Sequence, residues 1–205
     1  HHPLEYMVAT INNGGGFYRV ELYLHEARMH GAIIKAPCVN NSSLLTTIQG
    51  RVIYLGLGLL KDIEYDVMKA LVNVRNHEGQ FVSLHHFINK VAISLEQLII
   101  LIRVGALRFT GRTKKQLMWD AYMLLGHAKK SAPTAELFRT DPIKYTIPPL
   151  YYSEYEDAFD EMELLGFALL SPFHLLKNGL TIDTRATGLP NYVGKIITIL
   201  GYFIT

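Results

Sequence analysis

Apolar positions along the chain recur mostly at helical spacing, interrupted by glycine and proline clusters. From Phe17 to His30, Val20, Leu22, Leu24, Ala27 and Met29 sit among charged residues and Gly31 follows as a stop, so the pattern predicts a helix. Asn12-Asn13-Gly14-Gly15-Gly16 predicts a turn that separates it from an earlier helix. Pro37 to Ser42 is loop chemistry, and Val52-Ile53-Tyr54-Leu55 after Gly50 predicts a short strand.

Two neighbouring segments then share one plan: a short helix, a tight break and a longer helix. The first runs from Leu57 to Lys61, breaks at Asp62-Ile63-Glu64 and continues from Tyr65 to Arg75, with Val67, Ala70, Leu71 and Val74 on one face. The second runs from Ser83 to Val91, breaks at Ala92-Ile93 and continues from Ser94 to Val104, striped by Leu95, Leu98, Ile99 and Ile102. Ser94 with Gln97 fits a capping box, in which the hydroxyl takes the third amide and the glutamine reaches back; Gly105 supplies a left-handed end. Thr113 with Gln116 repeats the spacing and opens a helix that ends at Gly126. Ser131-Ala132-Pro133-Thr134 and Ile147-Pro148-Pro149 predict a linker, Glu154 to Leu165 a further helix, and Lys195 to Thr205 a β-rich run with a bend at Gly201. Strand-like sequence at the end of the chain is the pattern expected of a piece of a longer protein.

Composition narrows the class. With 205 residues, 49% apolar and 19% charged, the chain can bury a core, and its longest apolar run, Leu98 to Ile102, is too short to cross a bilayer. The start lacks the features of a secretory signal, so a cytoplasmic protein is expected. Cys38 is expected to pack rather than bind metal, and the adjacent His85-His86 point in different directions on a helix and make a poor chelate. Trp119 and Tyr122 are expected in the core.

Net charge is only +2, but its distribution is uneven. Between Arg103 and Lys130 seven basic residues face one acid, Asp120, whereas Tyr152 to Glu163 holds six acids and no base. The basic segment has the composition of a phosphate-contacting surface. The acidic one is expected to be the wet face of a helix.

Paired helix-break-helix units suggest helix-hairpin-helix motifs, where backbone amides at the turn and at the second helix N-terminus bind a DNA phosphate. The order of landmarks also resembles the alpha subunit of bacterial DNA polymerase III. His2-Pro3-Leu4-Glu5-Tyr6-Met7 with Ile11-Asn12-Asn13 is similar to the end of that family's fingers domain. Glu26-Ala27-Arg28 through Gly31, then Pro37 to Ser42, resembles the connection into its tandem motif. Tyr54-Leu55-Gly56-Leu57, Lys61, Arg75 and Gly79-Gln80-Phe81 are similar to the first unit, and Glu96-Gln97-Leu98 through Arg103-Val104-Gly105-Ala106 to the second. Glu163-Leu164-Leu165-Gly166-Phe167 with Leu170-Ser171-Pro172 resembles the segment ahead of an oligonucleotide-binding fold, whose first strand Val193-Gly194-Lys195 to Thr205 resembles.

The resemblance implies a mainly α fold, a tandem helix-hairpin-helix module flanked by helices of the fingers and a short terminal β segment. It implies a fingers-like region over 1–38, the tandem module over 39–128, a linker and connecting helix over 129–176 and the start of the oligonucleotide-binding fold over 177–205. It also implies a DNA-directed DNA polymerase as the parent, with the magnesium-binding carboxylates in a palm domain upstream, so no catalytic residue, metal ligand or cofactor is assigned here. Duplex DNA is the implied partner, with other polymerase III holoenzyme subunits bound mostly elsewhere and no membrane involved.

Where the family has glycines at the first hairpin, this chain has Lys61-Asp62-Ile63-Glu64, which restricts backbone approach and adds negative charge. The first hairpin is therefore expected mainly to support the fold. DNA contact is expected from Lys61, Arg103, Arg108, Arg112, Thr113, Lys114 and Lys115, where Gly111-Arg112-Thr113-Lys114-Lys115 combines a glycine, a helix N-terminus and cations. The other open reading is a scaffold that joins the fingers to downstream domains with little DNA contact.

Overall fold

The computed structural model describes residues 2–126, 153–176 and 182–201. Helix α1 (Pro3–Asn12) opens with proline at its first turn, where a missing amide costs no intrahelical bond, and buries Leu4, Val8 and Ile11. It packs on α2 (Val20–Met29), which buries Leu24 and Ala27. The helix predicted from Phe17 starts three residues later: Arg19 is extended, and Phe17 projects into solvent.

Three strands of three residues follow, β1 (Ile33–Lys35), β2 (Thr47–Gln49) and β3 (Val52–Tyr54), in the order β1-β3-β2. The central β3 runs parallel to β1 and antiparallel to β2, with Ile53 opposite both Ile34 and Ile48. Of these, sequence pattern predicts β3 alone, because three residues are too few for alternation to stand out. Asparagine side chains fix the intervening loop by imitating a strand partner. Asn12 donates to the Thr46 carbonyl and accepts from its amide at 2.9 and 2.8 Å, and Asn40 does the same to Phe81. Arg75 donates to the carbonyls of Val39 and Ser42, and burial lowers its pKa. Gly56 is required by close approach, since a Cβ there would lie 2.5–2.6 Å from backbone atoms of residues 44–46.

A 3-10 turn (Leu57–Leu59) leads to α3 (Tyr65–Glu78), and α4 (Leu84–Lys90) leads to α5 (Leu95–Arg103), so both expected helix-break-helix units are present. Phe81 and Phe87 meet edge to face at 4.9 Å, and Leu98, Leu101 and Ile102 of α5 are fully buried beside them in one core. Cys38 is buried, as expected of a packing residue. A second 3-10 turn (Arg108–Thr110) precedes α6 (Lys114–Leu125), which packs on α5, and α7 (Glu154–Leu164) packs on α5 as well. Trp119 and Tyr122 depart from expectation: they are 43% and 51% exposed, because α6 turns its Leu117 and Ala121 stripe inward and these rings fall outside it.

The chain divides into one unit through Leu169 and a smaller one from Leu170. In the smaller unit, 3-10 turns cover Pro172–Leu175 and Ala186–Tyr192, and Asp183 exchanges hydrogen bonds with Thr198. The β-rich run expected from Lys195 forms no strand among its described residues, 195–201; a strand needs a ladder partner as well as β-prone residues. The proline-containing linker segments, Lys129 and Lys130, and residues 202–205 lie outside the described residues.

Candidate nucleic-acid interface

In the first hairpin the backbone is engaged by protein. The Lys61 amide donates to the Leu164 carbonyl at 2.8 Å, and Asp62 adopts a left-handed φ of 61°. Gln97, buried on α5, accepts from the Glu64 amide at 2.8 Å and donates to the Asp62 carbonyl at 2.9 Å. The expected capping box at α5 is therefore only half present. Ser94 Oγ accepts the Gln97 amide, while the glutamine side chain reaches the other hairpin instead of back to Ser94. In the second hairpin Val91 is buried, and Ala92 and Ser94 face solvent.

The basic residues gather where α5 ends and α6 begins. Gly105, at φ 74°, reverses the chain after α5, and its carbonyl accepts from Arg108 at 2.8 Å. Arg108 also donates to the Ala36 carbonyl at 2.5 Å. Thr113 caps α6 in a complete capping box with Gln116, as the sequence predicts. Arg108, Arg112 and Lys114, with Gly105, Gly111 and Thr113, line one cavity of about 350 Å³. Four of the seven predicted contact residues thus share one wall.

The opposite wall is α7, and it is acidic. Lys114 Nζ lies 2.5 Å from Asp157 and 3.1 Å from Asp160, and Arg103 Nε lies 2.7 Å from the same Asp160. The Arg103 guanidinium also holds Glu163, and Lys115 meets Glu156 at 2.9 Å. Arg112 pairs with Asp120 on α6 at 2.6 Å. The Lys61 amide, bonded to the Leu164 carbonyl, sets that residue at the C-terminal end of α7. The predicted residues therefore belong to one region, but four of the cations there, Arg103, Arg112, Lys114 and Lys115, are paired with carboxylates, while Arg108 is held by backbone carbonyls. The reading of the acids as a wet helix face is corrected: Glu156, Asp157, Asp160 and Glu163 fall on one side of α7 at helical spacing and form ion pairs. That spacing is legible in the sequence; the partner helix is not.

The pairing tunes the charges. The hydrogen bond from Arg103 holds the Glu163 carboxyl below its ordinary range, and the same pair raises the arginine. Burial pushes Glu161 up, although the Leu169 amide, 2.7 Å away, and Lys114 favour its ionised form. Burial likewise lowers Arg28, whose guanidinium donates to the Leu169 carbonyl. Among the described residues no group of three or more His, Cys, Asp or Glu is arranged to hold a metal.

Residues 31–117 match the helix-hairpin-helix motif family. The chain is similar to the error-prone DNA polymerase of Mycobacterium tuberculosis (strain H37Rv), 32% identical over 124 residues, which are 59% of this chain and 11% of that protein. It is similar to DNA polymerase III subunit alpha of the same strain, 30% identical over 120 residues, 57% of this chain and 10% of the relative. The corresponding subunit of Aquifex aeolicus is 27% identical over 154 residues, 70% of this chain and 13% of its own length. The matched part is about a tenth of each of these relatives.

Proposed function

We propose that this chain, a homologue of bacterial DNA polymerase III alpha subunits and error-prone polymerases through its helix-hairpin-helix region, grips duplex template-primer DNA by phosphate contacts without reading sequence. The supporting observation is the convergence of Arg103, Arg108, Arg112, Lys114 and Lys115 on the junction between α5 and α6, where Arg108, Arg112 and Lys114 line one cavity at a helix N-terminus. The whole protein is then a DNA-directed DNA polymerase of the cytoplasm, its magnesium-dependent nucleotidyl transfer and holoenzyme partners residing in other parts. Among the described residues no helix is long and apolar enough to cross a membrane.

Fluorescence anisotropy with a labelled duplex tests the grip. Binding at low salt is expected to weaken with a log–log slope of about −0.9 per phosphate contacted. Arg108→Gln with Arg112→Gln is expected to lower affinity and flatten that slope. Absence of binding at low salt overturns the reading.

One observation favours the scaffold alternative. The first hairpin is closed on Gln97 and Leu164, and α7 occupies the cations, as in a joint that holds helices together. Under that reading Arg108→Gln with Arg112→Gln leaves duplex affinity of the full polymerase unchanged.

A further inference from the structure

We infer that the outer carboxylates of α7, Glu156 and Glu163, are a built-in competitor for the DNA backbone that holds the affinity of this surface down. The inference rests on the phosphate-gripping reading and names how that site is regulated. Three features carry it. First, four of the site's cations are already held by carboxylates: Arg103 by Asp160 and Glu163, Arg112 by Asp120, Lys114 by Asp157 and Asp160, and Lys115 by Glu156. A surface so paired attracts a polyanion weakly. Second, the pairs differ in depth. Lys114, Asp157 and Asp160 are the more enclosed, whereas Glu156 and Glu163 are 48% and 64% exposed and meet their cations at the solvent edge. Third, α7 is anchored independently of its charges, since Ala158, Leu164 and Leu165 are buried. The helix can therefore stay in place while the flexible Lys115 and Arg103 side chains exchange a rim carboxylate for a phosphate oxygen.

A rim pair of this kind contributes little to the fold. Its effect on a polyanion is larger, because every cation occupied by a carboxylate is one fewer counterion released when DNA arrives. Glu156 and Glu163 thus set how many of the clustered cations a duplex can use.

The test is a cycle of variants in the 205-residue chain, read by duplex anisotropy over a salt series with thermal melts as the fold control. Glu156→Gln with Glu163→Gln is expected to bind on the order of tenfold tighter, with a salt slope steeper by up to about 1.8. Lys115→Gln is expected to weaken binding more in the Glu156→Gln background than in the wild type, a coupling that a purely structural staple would not produce. The single Glu156→Gln variant carries the test if the double variant does not fold. If the wild type binds and neither carboxylate variant binds tighter, this inference falls and the phosphate-gripping reading stands. If wild type and variants are all silent at low salt, the reading falls and the inference with it.

Discussion

The carboxamide of Gln97 lies inside the core with both ends bonded to backbone of the first hairpin, the Glu64 amide and the Asp62 carbonyl. A leucine of similar bulk would fill the space and leave both backbone groups without that partner. Because Asp62 and Glu64 are exposed, water can replace part of what is lost, so Gln97→Leu is expected to lower unfolding free energy by about 1–2 kcal/mol in urea titration, despite its higher hydrophobicity. At Glu161 desolvation sets the sign of a pH effect. Its raised pKa means that the folded state resists ionisation. Stability is therefore fully present below the ordinary carboxylate range and declines as pH rises through the elevated value. Glu163 acts oppositely: its depressed pKa gives stability above the ordinary range that is lost on acidification. Glu161→Gln, which keeps an acceptor for the Leu169 amide, is accordingly expected to melt higher than wild type at neutral pH. The gain should vanish in melts run below the ordinary carboxylate range, and a gain that persists there would show that ionisation is not its cause.

At the scale of elements, α6 illustrates what local sequence determines. Thr113 and Gln116 satisfy two donors at its first turn, and Thr113→Ala is expected to destabilise by about 1 kcal/mol in the same urea titration. Helices α3, α5 and α6 are legible because their stripes repeat over several turns and their ends carry local signals. The same logic misleads where a residue that suits a local motif has a distant partner: Gln97 has capping-box spacing, yet hydrogen-bonds to residues more than thirty positions earlier. It is silent on β1 and β2, which are strands only because β3 lies between them. It misplaces Trp119 and Tyr122, since an aromatic pair shows no preference for either side of α6 until the other helices define the inside. For the candidate site, the residue types and their clustering along the chain were readable, while their neutralisation by α7 depends on a contact across 57 to 60 residues of sequence, from Arg103 to Asp160 and Glu163.

For the whole molecule, that contact divides one set of charges between holding the fold and meeting a ligand. Lys114 belongs to the first role. Its ammonium bridges Asp157 and Asp160, both less exposed than the rim acids, and Asp160 is shared with Arg103. Removing it takes one cation from Asp157 and leaves Asp160 with Arg103. Because the group is partly solvated, the loss is expected to be well below that of a fully buried pair, and Lys114→Met should cost about 1–2 kcal/mol in low salt. Salt tests whether the cost is electrostatic. The Debye length falls from roughly 10 Å at 0.1 M to about 3 Å at 1 M, so added salt should narrow the gap between variant and wild type as the lost attraction is screened. A gap unchanged between those conditions would mean instead that the lysine stem, packed beside Gly105, supplies its contribution through apolar contact. DNA affinity has the opposite form: it should fall steeply over the same salt range while the fold changes little, because phosphate contacts release counterions and internal pairs do not.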